Sequence, residues 1–229
     1  FENYMSPGRK GHLIGIVGVS MSSLAEVLCG MGISITGSDM NENNPNVISL
    51  RKKNIPVFIG HRPENIGEDV DFIVRTAAVH DDNPEIIRAH EAGIPVFERT
   101  QAWGAISKDY TNALCISGTH GKSTTTGMLS QILTTALVDP TVINGAEMKQ
   151  SDSVDIIGAR EYFVFEACEY MDSFLDFYPT VAVVLNIELD HVDYFPSLDA
   201  IRTSFTAFMN KTGETGYAVV NADDTDCIR

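Results

Sequence analysis

The sequence predicts an α/β fold built on parallel sheets, and three observations carry that prediction. Short apolar runs alternate with stretches of helical periodicity along the chain, the order that covers a parallel sheet on both faces. Residues 11–39 read strand, glycine turn, helix, strand, acid, the nucleotide-binding half of a doubly wound, Rossmann-like domain. Residues 113–126 set a β-rich run before Ser117-Gly-Thr-His-Gly-Lys-Ser123 and a helix-like run after it, the layout of a P-loop mononucleotide-binding domain. We expect the Rossmann-like domain over 1–107 and the P-loop domain, incomplete, over 108–229, in a chain that is part of a longer protein.

In the first half, a strand over 11–20 leads to a helix over 21–31 with Met21, Leu24, Ala25, Leu28 and Met31 at helical spacing. A strand over 33–39 ends in Asp39, where such folds place a carboxylate for ribose hydroxyls. Gly15 and Gly18 are followed by Ser20 and Ser23 at the next small positions, which leaves three readings open: a dinucleotide site, a βαβ unit without a ligand, and a nucleotide-sugar site. Helices are expected over 46–53, 84–92 and near 101–106, and strands over 55–59, 71–75 and 94–97. His61 and the turn at 76–79 fall at strand C-terminal ends, the edge where open sheets bind ligands. His61 could equally be a solvated loop histidine. The polar stretch 108–111 marks the domain boundary.

In the second half, Gly118 and Gly121 let backbone N–H groups turn toward an anion. Lys122 adds a point charge, and Ser123 or Thr124 is placed to ligate magnesium. Ile116 stands where the longer phosphate-loop pattern has glycine, so an ordinary strand-to-helix turn with a surface lysine is the plain alternative. The helix over 123–135 should turn Met128, Leu129, Ile132 and Leu133 inward. A strand over 141–145, a loop over 149–160 and a strand over 162–170 follow, the last delivering Glu166 and Glu169 to its end. A strand over 181–187 runs into Glu188-Leu-Asp-His-Val-Asp193, either a metal- or phosphate-facing cluster or a capped turn. A helix over 198–210 and a strand over 216–221 close the chain.

A formal net charge of −15 argues against a general nucleic-acid binder. The four cysteines lack C-x-x-C spacing, so reduced, mostly buried thiols in a cytoplasm are expected. No run has the length of a membrane span.

Together these residues resemble the Mur ligases of bacterial cell-wall synthesis. The resemblance rests on residues 12–25 (His-Leu-Ile-Gly-Ile-Val-Gly-Val-Ser-Met-Ser-Ser-Leu-Ala), Gly37-Ser-Asp39, Ser117-Gly-Thr-His-Gly-Lys-Ser-Thr124, and Glu166-Ala-Cys-Glu-Tyr-Met-Asp-Ser-Phe-Leu175 with Asn186-Ile-Glu-Leu-Asp-His191. It implies a UDP-sugar domain, a central ATP domain and a third domain absent here. It also implies ATP with Mg2+, UDP-N-acetylmuramate and L-alanine as ligands, joined through an acyl phosphate. On this resemblance Gly118, Thr119, His120, Gly121, Lys122, Ser123 and Thr124 hold ATP. Lys122 steadies the γ-phosphoryl group, Ser123 and Glu166 ligate one magnesium, and His191 ligates a second. Gly15, Gly18, Ser20, Met21 and Ser22 would hold the UDP pyrophosphate, with Asp39 near the ribose or uracil. Ser38 and His61 belong to the same UDP-sugar set, while Asn144, Gly145 and Glu169 would face the sugar acid or the incoming amine. The family usually has glycine where Val17, Ser20 and Ser23 stand. Rival readings are a cell-wall-recycling ligase of the same family, a NAD-binding module joined to a P-loop domain, and a non-catalytic remnant.

Overall fold

A computed structural model describes residues 1–144 and 157–229. Gly145 and the 149–156 part of the expected loop lie outside the described residues. Cα packing separates two units, Phe1–Ala102 and Trp103–Arg229, with the division inside a helix.

The first unit runs β1 (Lys10–Ile14), α1 (Val19–Gly30), β2 (Ser34–Asp39), α2 (Pro45–Lys52), β3 (Val57–Ile59), β4 (Phe72–Arg75), α3 (Pro84–Ala92) and β5 (Val96–Glu98), followed by α4 (Arg99–Ser107) across the division. Its sheet has the order β3-β2-β1-β4-β5, and every pairing is parallel. The chain steps outward from β1 to β3 and then returns to the other side of β1. The crevice between the C-terminal ends of β1 and β4 is therefore the switch point where such sheets take ligands. The helix starts follow local chemistry. Asn44 and Asn83 accept hydrogen bonds from the backbone N–H of Asn46 and Glu85, with Pro45 and Pro84 just inside each helix. Gly93 ends α3 in the left-handed region at φ 68°.

The second unit runs β6 (Asn112–Ser117), α5 (Lys122–Thr135), β7 (Thr141–Ile143), β8 (Tyr162–Glu166), β9 (Val181–Val184), α6 (Leu198–Asn210) and β10 (Tyr217–Val220). The order β10-β9-β6-β8-β7 is again wholly parallel, so the loop after central β6 opens between the ends of β8 and β9. Trp103, Phe163, Phe165 and Phe177 pack beneath it, the last two with ring centroids 4.0 Å apart. Helix α6 buries Ile201, Phe205 and Phe208, and Phe174 stacks on Phe208 at 4.7 Å.

Several boundaries differ from expectation. Helix α1 starts at Val19 instead of residue 21, because the backbone already turns at Gly15. Strand β8 stops at Glu166, four residues before the expected end. A 3-10 segment, Tyr170–Asp176, follows it, with Met171 and Asp172 at positive φ. Helix α5 also sits differently: Met128 and Ile132 are exposed, Thr126 and Ser130 are buried, and Leu129 and Leu133 pack against Ile116, Val142 and Val164. At about 100° per residue, four apolar side chains at 128, 129, 132 and 133 form two stripes, and only one can face the sheet. No helix among the described residues is long and apolar enough to cross a membrane, and all four cysteines are free thiols.

Gly37 shows how closely the first unit packs beneath the turn after β1. A Cβ there would lie 2.6 Å from the Leu13 carbonyl oxygen and also meet Ile16. Gly37→Ala is expected to lower the unfolding free energy by about 2 kcal/mol, read as a lower urea midpoint with an unchanged slope.

Candidate functional site

Each unit carries a glycine loop at the C-terminal edge of its sheet. In the second unit Gly118 (φ 137°) and Gly121 (φ 86°) adopt backbone conformations that L side chains rarely take. Gly118 has a further reason to lack a side chain, since a Cβ would stand 3.1 Å from Leu185 N and 3.2 Å from Asn186 N. Gly121 is the N-cap of α5 and supplies no capping side chain. The first N–H groups of that helix stay available to an anion, where the helix dipole also favours negative charge.

The loop is held from the β9 side. Thr119 N–H donates to the Asn186 carbonyl (3.1 Å), and His120 N–H donates to Asn186 Oδ1 (2.8 Å). Asn186 Nδ2 returns a bond to the His120 carbonyl (3.0 Å), and Glu188 N–H donates to Thr119 Oγ1 (2.9 Å). His120 and Thr124 are exposed.

Lys122 points back into its own loop. Its Nζ donates to the carbonyls of Gly118 (2.6 Å) and Thr119 (3.1 Å) and to both oxygens of Glu169 (3.2 and 3.0 Å). Glu169 is fully buried, and a carboxylate sealed from water needs such a charged donor. His191 Nε2 lies 3.7 Å from Glu169 Oε1, so Lys122, Glu169 and His191 form one chain of groups. The His191 backbone is at φ 49°, with its N–H on Asp190 Oδ1 (2.7 Å) and its ring against Tyr170. Beside this chain Ser123 Oγ donates to Glu166 Oε1 (3.1 Å), a pair of hard oxygen donors of the kind magnesium takes. Among the described residues no three His, Cys, Asp or Glu side chains are close enough to hold a metal by themselves. A magnesium ion here would complete its shell with water and phosphate oxygens. Asn144 is buried at the end of β7.

In the first unit, Gly15 (φ 84°) starts the turn after β1, and Gly18 is the N-cap of α1, again without a capping side chain. Gly15 and Ile16 donate their N–H groups to the Ser38 carbonyl (2.8 and 3.1 Å). Asp39 Oδ2 accepts from Val17 N–H (3.2 Å) and its Oδ1 from Asn41 N–H (2.9 Å). Ser20 and Ser22 are nearly buried in the first turns of α1. Met21 is a core side chain at 2% exposure. Ser22 Oγ donates to the Val19 carbonyl (2.7 Å), and Asn46 Nδ2 reaches the Val17 carbonyl (2.9 Å).

Sequence reasoning missed the group beneath this edge. Glu85, in the first turn of α3, is fully buried. Its carboxylate accepts from Ser38 Oγ (2.6 Å), from Arg62 N–H (3.3 Å) and from Asn65 Nδ2. His61 Nδ1 lies 3.3 Å from it and 3.1 Å from Ser38 Oγ. Fully buried His12 pairs through Nδ1 with Thr36 Oγ1 (2.8 Å), while its Nε2, 3.8 Å from Glu85, makes no hydrogen bond. A Pro-Glu pair opening a helix reads as an ordinary first turn, so nothing local marks Glu85. Asn186 was likewise no candidate, since the expected strand over 181–187 included it, whereas β9 ends at Val184 and leaves Asn186 in the loop that follows.

Fold and loops define a two-unit, phosphate-loop α/β protein. Residues 10–111 match the model of the Mur ligase family, catalytic domain, and residues 116–229 match that of the Mur ligase middle domain. The chain belongs to the Mur ligase family. It is 46% identical over 217 residues to the UDP-N-acetylmuramate--L-alanine ligase of Acetivibrio thermocellus, covering 95% of this chain and 46% of that protein. The enzyme of the same name from Caldicellulosiruptor saccharolyticus is 46% identical over 215 residues, 94% of this chain and 47% of that protein. The chain thus spans about half the length of the curated relatives it matches. Among solved structures, the UDP-N-acetylmuramate-alanine ligase MurC of Thermotoga maritima superposes with a TM-score of 0.81 at 29% identity, covering 95% of this chain and 50% of that one. The UDP-N-acetylmuramate:L-alanyl-gamma-D-glutamyl-meso-diaminopimelate ligase of Neisseria meningitides gives 0.80 at 25% identity, covering 95% and 72%.

Burial alone would raise the Glu85 pKa, but the His12, Ser38 and Asn65 side chains outweigh it and hold the carboxyl below its ordinary value of 4.5. A depressed carboxyl pKa contributes stability that is full above that ordinary value and is lost as pH falls through the lower folded value. Urea titrations are expected to show a midpoint that falls from about pH 5 downward, and Glu85→Gln should lower it at neutral pH while flattening the acid limb.

Proposed function

We propose that this chain supplies the UDP-sugar-binding and ATP-binding domains, 1–107 and 108–229, of a cytoplasmic ligase. That enzyme joins L-alanine to the lactyl carboxylate of UDP-N-acetylmuramate, with ATP consumed and an acyl phosphate formed on the way. The observation that carries the reading is the Lys122 ammonium at an uncapped helix N-terminus, with Ser123, Glu166, Glu169 and His191 gathered around it. The sugar and the amino acid are taken from the two curated relatives at 46% identity.

In this reading Gly118 to Thr124 hold the phosphates of ATP through backbone N–H groups and the Lys122 charge. Ser123 and Glu166 hold the magnesium ion, with His191 at a second. Bound magnesium supplies charge neutralisation for a phosphoryl group moving toward a carboxylate. The residues of the chain do the rest. Lys122 leaves the Gly118 and Thr119 carbonyls to follow the γ-phosphoryl oxygens, and Glu169 keeps that ammonium aimed. Asn186 keeps the loop shape constant while the lysine moves. The turn from Gly15 to Ser22 takes the UDP pyrophosphate, with Ser38, Asp39 and His61 toward the nucleoside. Asn144 and Glu169 are assigned by the resemblance to the sugar acid or the amine, and both side chains are closed off from solvent in this structure.

Calorimetric titration tests both halves separately. The chain is expected to bind UDP-N-acetylmuramate and Mg-ATP and to ignore NAD; NAD binding without UDP-sugar binding would overturn the assignment. Lys122→Ala should weaken Mg-ATP binding roughly tenfold to a hundredfold, the scale of a lost charge-assisted contact. It should leave UDP-N-acetylmuramate binding unchanged, and loss of both together would overturn the division of labour between the domains.

A further inference from the structure

We infer that Glu85 is a positioning residue for ligand binding: it fixes the proton of His61 on Nδ1, so that Nε2 is offered as a hydrogen-bond acceptor to a donor group of the bound nucleoside. This rests on the reading of the first unit as the UDP-sugar domain.

The proton count decides the tautomer. Ser38 Oγ stands 2.6 Å from Glu85 Oε2, and an ionised carboxylate is acceptor-only. The single Ser38 hydroxyl proton is therefore committed to Glu85. His61 Nδ1 faces only these two groups, Ser38 Oγ at 3.1 Å and Glu85 Oε2 at 3.3 Å. Neither has a proton to give it, so Nδ1 must be the donor. A neutral ring with its proton on Nδ1 has a lone pair on Nε2. That atom makes no hydrogen bond within the described residues and is not sealed off with the buried, unpartnered atoms. His61 keeps 16% of its side chain exposed while Glu85 keeps none.

The placement is specific. Ser38 turns its hydroxyl to Glu85 and its carbonyl to the N–H groups of Gly15 and Ile16, so one residue joins the carboxylate to the glycine turn. Asn65 ties the same carboxylate to the Gly60 carbonyl (2.9 Å), next to His61. Glu85 also sits in the first turn of α3, where the helix dipole favours its charge. His61 follows the third strand at the ligand edge, near the end of the second, where doubly wound domains place the nucleoside. An acceptor lone pair at that point suits a ribose hydroxyl or the N3–H of uracil.

Nitrogen-15 imidazole spectra of the chain, assigned with His61→Phe, read the tautomer directly. A free neutral imidazole side chain prefers its proton on Nε2, so a His61 ring protonated on Nδ1 is the expected signature of the Glu85 and Ser38 contacts. In Glu85→Gln the ring should lose that preference. Titrations then read the consequence: UDP binding should weaken about tenfold in His61→Phe and in Glu85→Gln. An analogue lacking the donor, 3-methyl-UDP for the base or 2′,3′-dideoxy-UDP for the sugar, should bind the unsubstituted chain about tenfold more weakly than UDP and bind His61→Phe as UDP does. The analogue that shows the penalty identifies the donor. If Glu85→Gln does not fold, the unsubstituted spectrum and the analogue arms decide. A His61 ring protonated on Nε2, or both analogues binding like UDP, would overturn the inference alone. No UDP binding by the unsubstituted chain would overturn the reading of the first unit, and this inference with it.

Discussion

An anion-binding loop at a helix start must leave the first N–H groups of the helix unsatisfied, and the fold has to hold such a loop without capping it. Both glycine turns here meet that constraint. Gly18 and Gly121 stand at N-cap positions with no side chain to offer, whereas Asn44, Asn83 and Ser197 cap helices elsewhere in the chain. With glycine at the N-cap, the missing side-chain cap withholds only a few tenths of a kcal/mol from each of the two helices. Stability is recovered from outside the helix: Asn186 grips the phosphate loop at His120, and Asp39 with the Ser38 carbonyl grips the turn after β1.

The same logic of displaced support governs the charges. Lys122 and Glu169 are both mostly shielded from water, at 13% and 0% side-chain exposure, and removing either would strand the other. The two loop carbonyls on Lys122 complete its donors in a place where phosphate oxygens would do so more strongly. In the first unit Glu85 takes the equivalent part, a buried carboxylate that gathers Ser38, the loop at Arg62 and Asn65, and the start of α3. Among the described residues each unit thus sets one buried glutamate behind the C-terminal edge of its sheet, with a cationic partner in one and polar donors in the other.

The element order, the parallel sheets and both glycine loops were legible in the sequence because they are written in short-range signals: apolar runs of strand length, glycines at turns, and caps. The helices Pro84–Ala92 and Leu198–Asn210 match the expected bounds for that reason, since an Asn-Pro start, a left-handed glycine and a serine cap act over one turn. What only the tertiary structure decided lies between residues far apart in the chain. Ser38 meets Glu85 across 47 positions, and His120 meets Asn186 across 66. Which stripe of α5 faces inward, and that Ser38 turns its hydroxyl to a buried carboxylate, depend on the sheet those residues pack against. Periodicity encodes the pitch of a helix and the pleat of a strand; it carries no information about which distant group completes a polar atom's hydrogen bonds once water is excluded.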